Sequence, residues 1–258
     1  MKTVLSYDGS MAGFLTCVFV AYEEKLEVIN IQVQEKASKQ LFGDFQDVIT
    51  QDAMASRVNL AIKKRCSAAG RRNLFWAFLS EEQGIELTMF HYLQYVFKTQ
   101  DQVDEDFSHP AVLKITQTAK KVGREKHRME AFVRFKLTKD QIYFASIEPD
   151  FNVLPIIQMH FEQRYADQCW IIYDLKRRYG LYYDLQKVDR ITLEFSDHFD
   201  HNPNNNTAFD LQEIEFQKLW KKYFDCTNIP SRKNMKLHLQ HVPKRYWKYL
   251  TEKSPLHN

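Results

Sequence analysis

The sequence has 258 residues, 36 Lys and Arg against 33 Asp and Glu for a formal net charge of +3, and 14% aromatic residues. Only 7 residues are glycine, and neither G-x-G-x-x-G nor G-x-x-x-x-G-K-[ST] occurs, which excludes a Rossmann dinucleotide site or a P-loop. No apolar stretch is long enough for a bilayer, the first residues turn polar too soon for a signal peptide, and the four cysteines form no C-x-x-C pair. A disulfide framework is therefore not expected, and the thiols suit a reducing cytoplasm.

Along the chain, Thr3–Tyr7 reads as a strand, and Asp8-Gly9-Ser10 as a turn that caps a helix carrying Phe14, Leu15, Val18, Phe19 and Tyr22. Alternation over Glu27–Val33 predicts a second strand. Helical spacing resumes near Thr50, with Val58 and Ile62 inside and Arg57, Lys63, Lys64 and Arg65 outside. It recurs over Arg72–Leu79, Ile85–Phe97 and Pro110–Met129. Ala131–Lys136 and Ile142–Ile147 predict a hairpin about Thr138-Lys139-Asp140.

Asn152 is placed to cap a helix with Pro155 in its first turn, burying Leu154, Ile157 and Phe161. Cys169–Asp174 and Tyr179–Asp184 form a second hairpin, and Val188–Phe195 alternates as a further strand. The Asn-rich stretch 197–207 is a loop. An amphipathic helix over Phe209–Asp225 puts Trp220 and Phe224 on its apolar side, leaving the cations and Tyr246 of the basic tail for the surface.

The fold class expected is α+β: an antiparallel sheet built from two hairpins around a helix, flanked by N-terminal and C-terminal helices. One domain over 1–258 is expected, with 1–128 mainly helical, 129–196 holding the sheet and 208–258 a basic helical tail.

The small net charge hides blocks. Residues 54–80 hold six basic and no acidic residues, 113–139 nine against two, and 217–253 ten against two. Residues 81–112 hold one basic against seven acidic, 140–174 one against six, and 191–216 none against six. Each block reads either as a solvated helix face or as part of one converging field.

Four constellations have the residue types for chemistry. Lys120, Arg124 and Arg128 recur at i, i+4 and i+8, a cationic row suited to tracking phosphates, with Arg134 just beyond. Within it His127 reads as a helix-end residue or as an acid–base group, and Glu125 reads either as a partner for Arg128 or as a further catalytic candidate. His160 and Arg164 share a helix face, Asp174 with Arg178 forms either part of an anion-handling site or a salt bridge that fixes a turn, and the turn residues Arg177 and Arg178 are candidates for phosphate contact. His198 and His201, beside Asp197 and Asp200, have zinc-ligand chemistry but no third ligand in a rigid element, so no metal is expected. Arg232, Lys244 and Arg245 interleave with aromatics at the C-terminus, as base stacking and phosphate contact require.

Taken in order, Tyr7-Asp8-Gly9-Ser10, Arg57-Val58, Val122-x-x-Glu125-x-His127-Arg128-x-x-Ala131-Phe132-Val133-Arg134-Phe135 and Ala145-x-Ile147-x-Pro149 form a recognisable series. It continues through His160-Phe161-x-x-Arg164-Tyr165, Trp170-x-Ile172-x-Asp174 and Arg178, Leu219-Trp220-Lys221-x-Tyr223-Phe224, Ile229-x-x-Arg232-x-Asn234 and Pro243-x-Arg245-Tyr246-Trp247. Over nearly the whole chain the series resembles the bacterial family labelled "probable DNA metabolism protein", domain of unknown function 4130.

Members of that family are typically encoded beside a DNA modification or repair radical SAM protein, and related domains occur fused to uracil-DNA glycosylase modules. The resemblance implies DNA and that radical SAM protein as partners. The chain itself lacks the three-cysteine cluster motif, so iron–sulfur chemistry would belong to the partner and no cofactor is expected here. Three functions stay open: a DNA-binding accessory protein, a nucleic-acid-processing enzyme using His127 or His160 with Asp174, and a scaffold that docks the partner.

Overall fold

The computed structural model describes residues 2–34, 44–99, 101–193, 209–210, 213, 215–220, 222, 239 and 241–253. The chain is α+β, with two sheets and helices around them, and divides into two compact units, Met1–Gly123 and Arg124–Asn258.

In the first unit, β1 (Lys2–Tyr7) is the centre of a three-stranded parallel sheet, between β2 (Glu27–Val33) and β3 (Asp44–Asp47). The helix α1 (Met11–Glu23) follows β1 through a turn that the sequence spells out. Ser10 caps it by accepting from the Gly13 N–H at 2.9 Å, and Asp8 accepts from the Ser10 N–H at 2.9 Å and from the Thr50 hydroxyl at 2.8 Å. These donors outweigh the desolvation that opposes them and hold the Asp8 carboxyl below its ordinary range.

Four further helices complete this unit: α2 (Asp52–Arg65), α3 (Ala68–Leu79), α4 (Ile85–Lys98) and the first half of α5 (Pro110–Phe132). Leu5, Phe14, Val18, Ile62, Leu74, Met89 and Leu93 are among the side chains that close the core. β3 lies outside the expected, mainly helical plan for 1–128. It is an edge strand of four residues whose side chains are largely exposed, so backbone pairing forms it and no apolar alternation marks it.

The second unit holds a five-stranded sheet in the order β4 (Lys136–Leu137), β5 (Tyr143–Ile147), β6 (Trp170–Asp174), β7 (Tyr179–Tyr183) and β8 (Val188–Ile191). Both expected hairpins are present, but where they meet, β5 and β6 run parallel. The reason is α6 (Leu154–Arg164), a crossover helix that returns the chain to the same end of the sheet before β6 begins.

Two boundaries shift. Ala131 and Phe132 finish α5 instead of opening a strand, because its core face continues through Met129 and the Val133 N–H still bonds to the Met129 carbonyl at 3.1 Å. Asn152 does not cap α6; its side chain accepts from the Tyr179 hydroxyl, and the cap position is Val153.

Under the sheet, Trp170 lies in an aromatic cluster with Phe135, Phe161 and Tyr183, ring centroids 6.3, 6.2 and 5.5 Å away. Gly180 is required on β7: a Cβ there would lie 2.8 Å from both the Ile172 carbonyl oxygen and the Tyr173 ring. Gly180→Ala should therefore destabilise the protein by about 1–3 kcal/mol, read as a lower midpoint in thermal unfolding.

Burial pushes the Cys66 thiol up to about 11 and the Cys17 thiol up to about 12. Neither should react with a thiol-specific disulfide reagent at pH 8 until denaturant is added, counted by mass spectrometry after alkylation.

Candidate nucleic acid interface at one end of the sheet

The parallel strands β5 and β6 end side by side, with Ile147 opposite Asp174. Two segments leave this edge: the loop Glu148-Pro149-Asp150 and the turn Leu175-Lys176-Arg177-Arg178. Asp174 is fully buried and organises the turn. One carboxylate oxygen accepts from the N–H groups of Lys176 at 2.9 Å and Arg177 at 3.1 Å, and the other from the Arg177 guanidinium at 2.8 Å.

Burial raises the Asp174 pKa above the usual carboxylate range, even though Arg177 and the two N–H groups pull it down. Arg177 also donates to the carbonyls of Pro149 at 3.2 Å and Asp150 at 3.1 Å, which stitches the turn to the loop. The expected partner of Asp174 was Arg178. Arg178 instead adopts a left-handed backbone, φ 56°, and closes the turn by donating its N–H to the Asp174 carbonyl at 2.8 Å.

On the other side of the loop stands Glu125 of α5, 1% exposed. It accepts from the Asp150 N–H at 2.9 Å and from the hydroxyl of Tyr246, and Arg128 lies 3.4 Å away. Tyr246 belongs to the 3-10 helix Lys244–Tyr249 and is only 2% exposed. Burial, then the Glu125 carboxylate, drives its pKa upward, so the phenol stays protonated and donates. Arg245 bridges the rim, 2.6 Å from Asp150 and 3.6 Å from Glu125, and Lys248 pairs with Glu148 at 2.5 Å.

Above this network lies an open cleft of about 620 Å³. Glu148, Pro149 and Asp150 line it from the loop, Lys176 from the turn, and Lys244, Arg245 and Lys248 from the 3-10 helix. Among the described residues, four cations thus face two carboxylates, an excess of positive charge at an exposed surface suited to phosphates.

The sequence-derived candidates divide sharply. Lys244 and Arg245 line the cleft, and Arg178 is exposed on the adjoining turn. Arg177 and Arg128 are committed to Asp174 and Glu125, and Arg134 is held by Glu252 at 2.9 Å and by the Ala131 carbonyl at 2.8 Å. Lys120 and Arg124 are exposed on α5, and Arg164 is exposed at the end of α6 beside the Tyr165 ring. Arg232, His198 and His201 lie outside the described residues.

His127 is exposed on α5, and the His160 imidazole is 4.0 Å from Glu130; neither histidine is among the partners of Asp174. Lys176 and Lys248 sit inside basic runs with nothing in the sequence to distinguish them from their neighbours, and Glu148 and Asp150 read only as turn residues. The C-terminal aromatics exchange roles: Tyr246 is buried, whereas Trp220 is 42% exposed, donating to Glu252 at 3.0 Å. Tyr246 lies in a 3-10 helix, to which the 3.6-residue period does not apply.

The sequence profile of a family described as a domain of unknown function, DUF4130, matches residues 83–252. The chain belongs to the DUF4130 family. The matched stretch takes in the whole cleft and its network, while Tyr7–Ser10 and Arg57-Val58, which open the resemblance series, fall before it. No curated protein sequence matches the chain. Among solved structures, a pGpG-specific phosphodiesterase, PggH from Vibrio cholerae, aligns with a TM-score of 0.33 and 11% identity over 70% of this chain and 80% of its own. A superposition that loose transfers neither topology nor function.

Two stability experiments probe the network of this DUF4130 member. Tyr246→Phe, which leaves Glu125 one donor short, should cost about 1–3 kcal/mol in denaturant unfolding. Arg177→Ala, which strands the buried Asp174 charge, should cost about 3–5 kcal/mol, and much less when combined with Asp174→Asn.

Proposed function

We propose that this DUF4130 member is a DNA-binding accessory protein of a repair or modification system, contacting phosphates through the cleft at the sheet end and working with a radical SAM enzyme. The observation that carries the reading is the convergence of Lys176, Lys244, Arg245 and Lys248 on one open cleft. Asp174 holds the Lys176 N–H, and Glu125 holds the Tyr246 hydroxyl on the 3-10 helix that carries the other three, so little ordering is needed when an anion arrives. Arg178, and Arg124 on α5, supply further exposed cations in the same unit. The resemblance to the DNA metabolism family supplies the class of partner.

Catalysis by this chain has less support. Glu125 and Asp174 are buried and engaged by arginines and backbone N–H groups, which is the environment of structural carboxylates. The reading as a DNA binder therefore assigns the chemical step to the partner.

Fluorescence anisotropy with single- and double-stranded oligonucleotides should show binding that falls steeply with salt. Lys176→Ala, Lys244→Ala and Lys248→Ala should weaken binding to all sequences alike. On duplex DNA the salt slope should fall by about 0.9 for each phosphate that a variant no longer neutralises. These side chains are on the surface, so the variants should unfold like the parent. Absence of binding at low salt, or triple-variant binding equal to the parent, would overturn the reading. Co-expression with the radical SAM enzyme and retention on a tagged copy tests the accessory role separately.

A further inference from the structure

The first unit carries a second open cleft, about 680 Å³, of different character. Tyr22 at the end of α1, four positions of α4 and the segment His109–Ala111 at the start of α5 form its walls. The α4 residues are His91, Gln94, Tyr95 and Lys98, spaced i, i+3, i+4 and i+7, so they share one helix face. Among the described residues, no carboxylate lines the cleft.

Its aromatic groups are set in advance. The Tyr95 and His109 rings are parallel, with centroids 4.2 Å apart and planes 6° apart. The Tyr95 hydroxyl donates to Asp106 at 2.6 Å, and the His109 Nδ1 accepts from the Ala111 N–H at 3.3 Å, which fixes both rings. Tyr22 leans edge-on against Phe90 and Phe97, centroids 6.4 and 5.9 Å away, yet is 46% exposed.

A site with stacking rings, one amide that both donates and accepts, one lysine and no opposing carboxylate matches a particular chemistry. The rings suit a flat heteroaromatic, Gln94 suits its hydrogen-bonding edge, and Lys98 suits an anionic arm. The volume lies within the range of small-molecule sites, about 300–1,000 Å³.

We propose that this cleft binds the base and phosphate of a nucleotide, free or at the end of a single strand, with Tyr22 and the Tyr95–His109 pair contacting the base and Lys98 the phosphate. The site shares no residue with the cleft at the sheet end, so either proposal can fail alone.

The test is calorimetric titration of the full chain with the four nucleoside monophosphates, adenosine, ribose 5-phosphate and a short single-stranded oligonucleotide. At least one monophosphate should bind saturably and more tightly than ribose 5-phosphate. Tyr22→Leu, which keeps apolar packing but removes the ring, should weaken binding about tenfold. Lys98→Ala should weaken the monophosphate but leave adenosine unchanged. An oligonucleotide that binds while every mononucleotide fails, with the same sensitivity to Tyr22→Leu, assigns the cleft to strand ends. The proposal is overturned if neither class of ligand saturates at millimolar concentration. It is equally overturned if ribose 5-phosphate binds as tightly as the monophosphates, or if folded Tyr22→Leu and Lys98→Ala bind like the parent.

Discussion

The second unit depends on one buried carboxylate. Glu125 must give up its hydration to sit inside the protein, a cost of several kcal/mol that only specific donors can offset. It finds them in the Asp150 N–H, the Tyr246 hydroxyl and the flanking guanidinium groups of Arg128 and Arg245. Three separate pieces of chain, α5, the loop after β5 and the C-terminal 3-10 helix, meet at that side chain. Asp174 has the same role nearby, where it organises the turn after β6 and, through Arg177, holds the loop from its other side.

Two consequences for charge follow. Each buried carboxylate absorbs an arginine, so several of the most conspicuous cations in the sequence are structural and contribute little net field. The cations of the cleft are instead three lysines and one arginine at its rim, held by exposed partners: Lys248 by Glu148, Arg245 by Asp150 and Lys176 by the Asp150 carbonyl. That division suits contact with a phosphate backbone, where the spacing of charges matters more than bidentate geometry.

Much of this was legible in the sequence. The Asp8-Gly9-Ser10 cap, the five major helices before residue 133 and both hairpins follow from period and turn chemistry. The pairing of Glu125 with Arg128 follows from helix spacing. What escaped was whatever depends on long-range closure. Whether Arg177 or Arg178 meets Asp174 is decided by a left-handed residue within the turn, and β3 exists because β1 offers it an edge. Tyr246 escaped because it lies in a 3-10 segment, where helical periodicity does not mark the buried side. The most basic run, around Lys120 to Arg128, draws attention to α5, whereas the groups that converge come from three short segments that individually look like ordinary turns.

Those segments are far apart along the chain: Lys248 meets Glu148 across 100 residues, and Tyr246 meets Glu125 across 121. During synthesis the strands and α6 therefore emerge from the ribosome well before the 3-10 helix that completes the cleft. For that interval Glu125 lacks its phenol and the rim lacks three of its four cations. A nascent chain, or one clipped ahead of Lys244, lacks the segment that supplies Lys244, Arg245 and Lys248, so the cationic wall of the cleft is absent until translation has passed that helix.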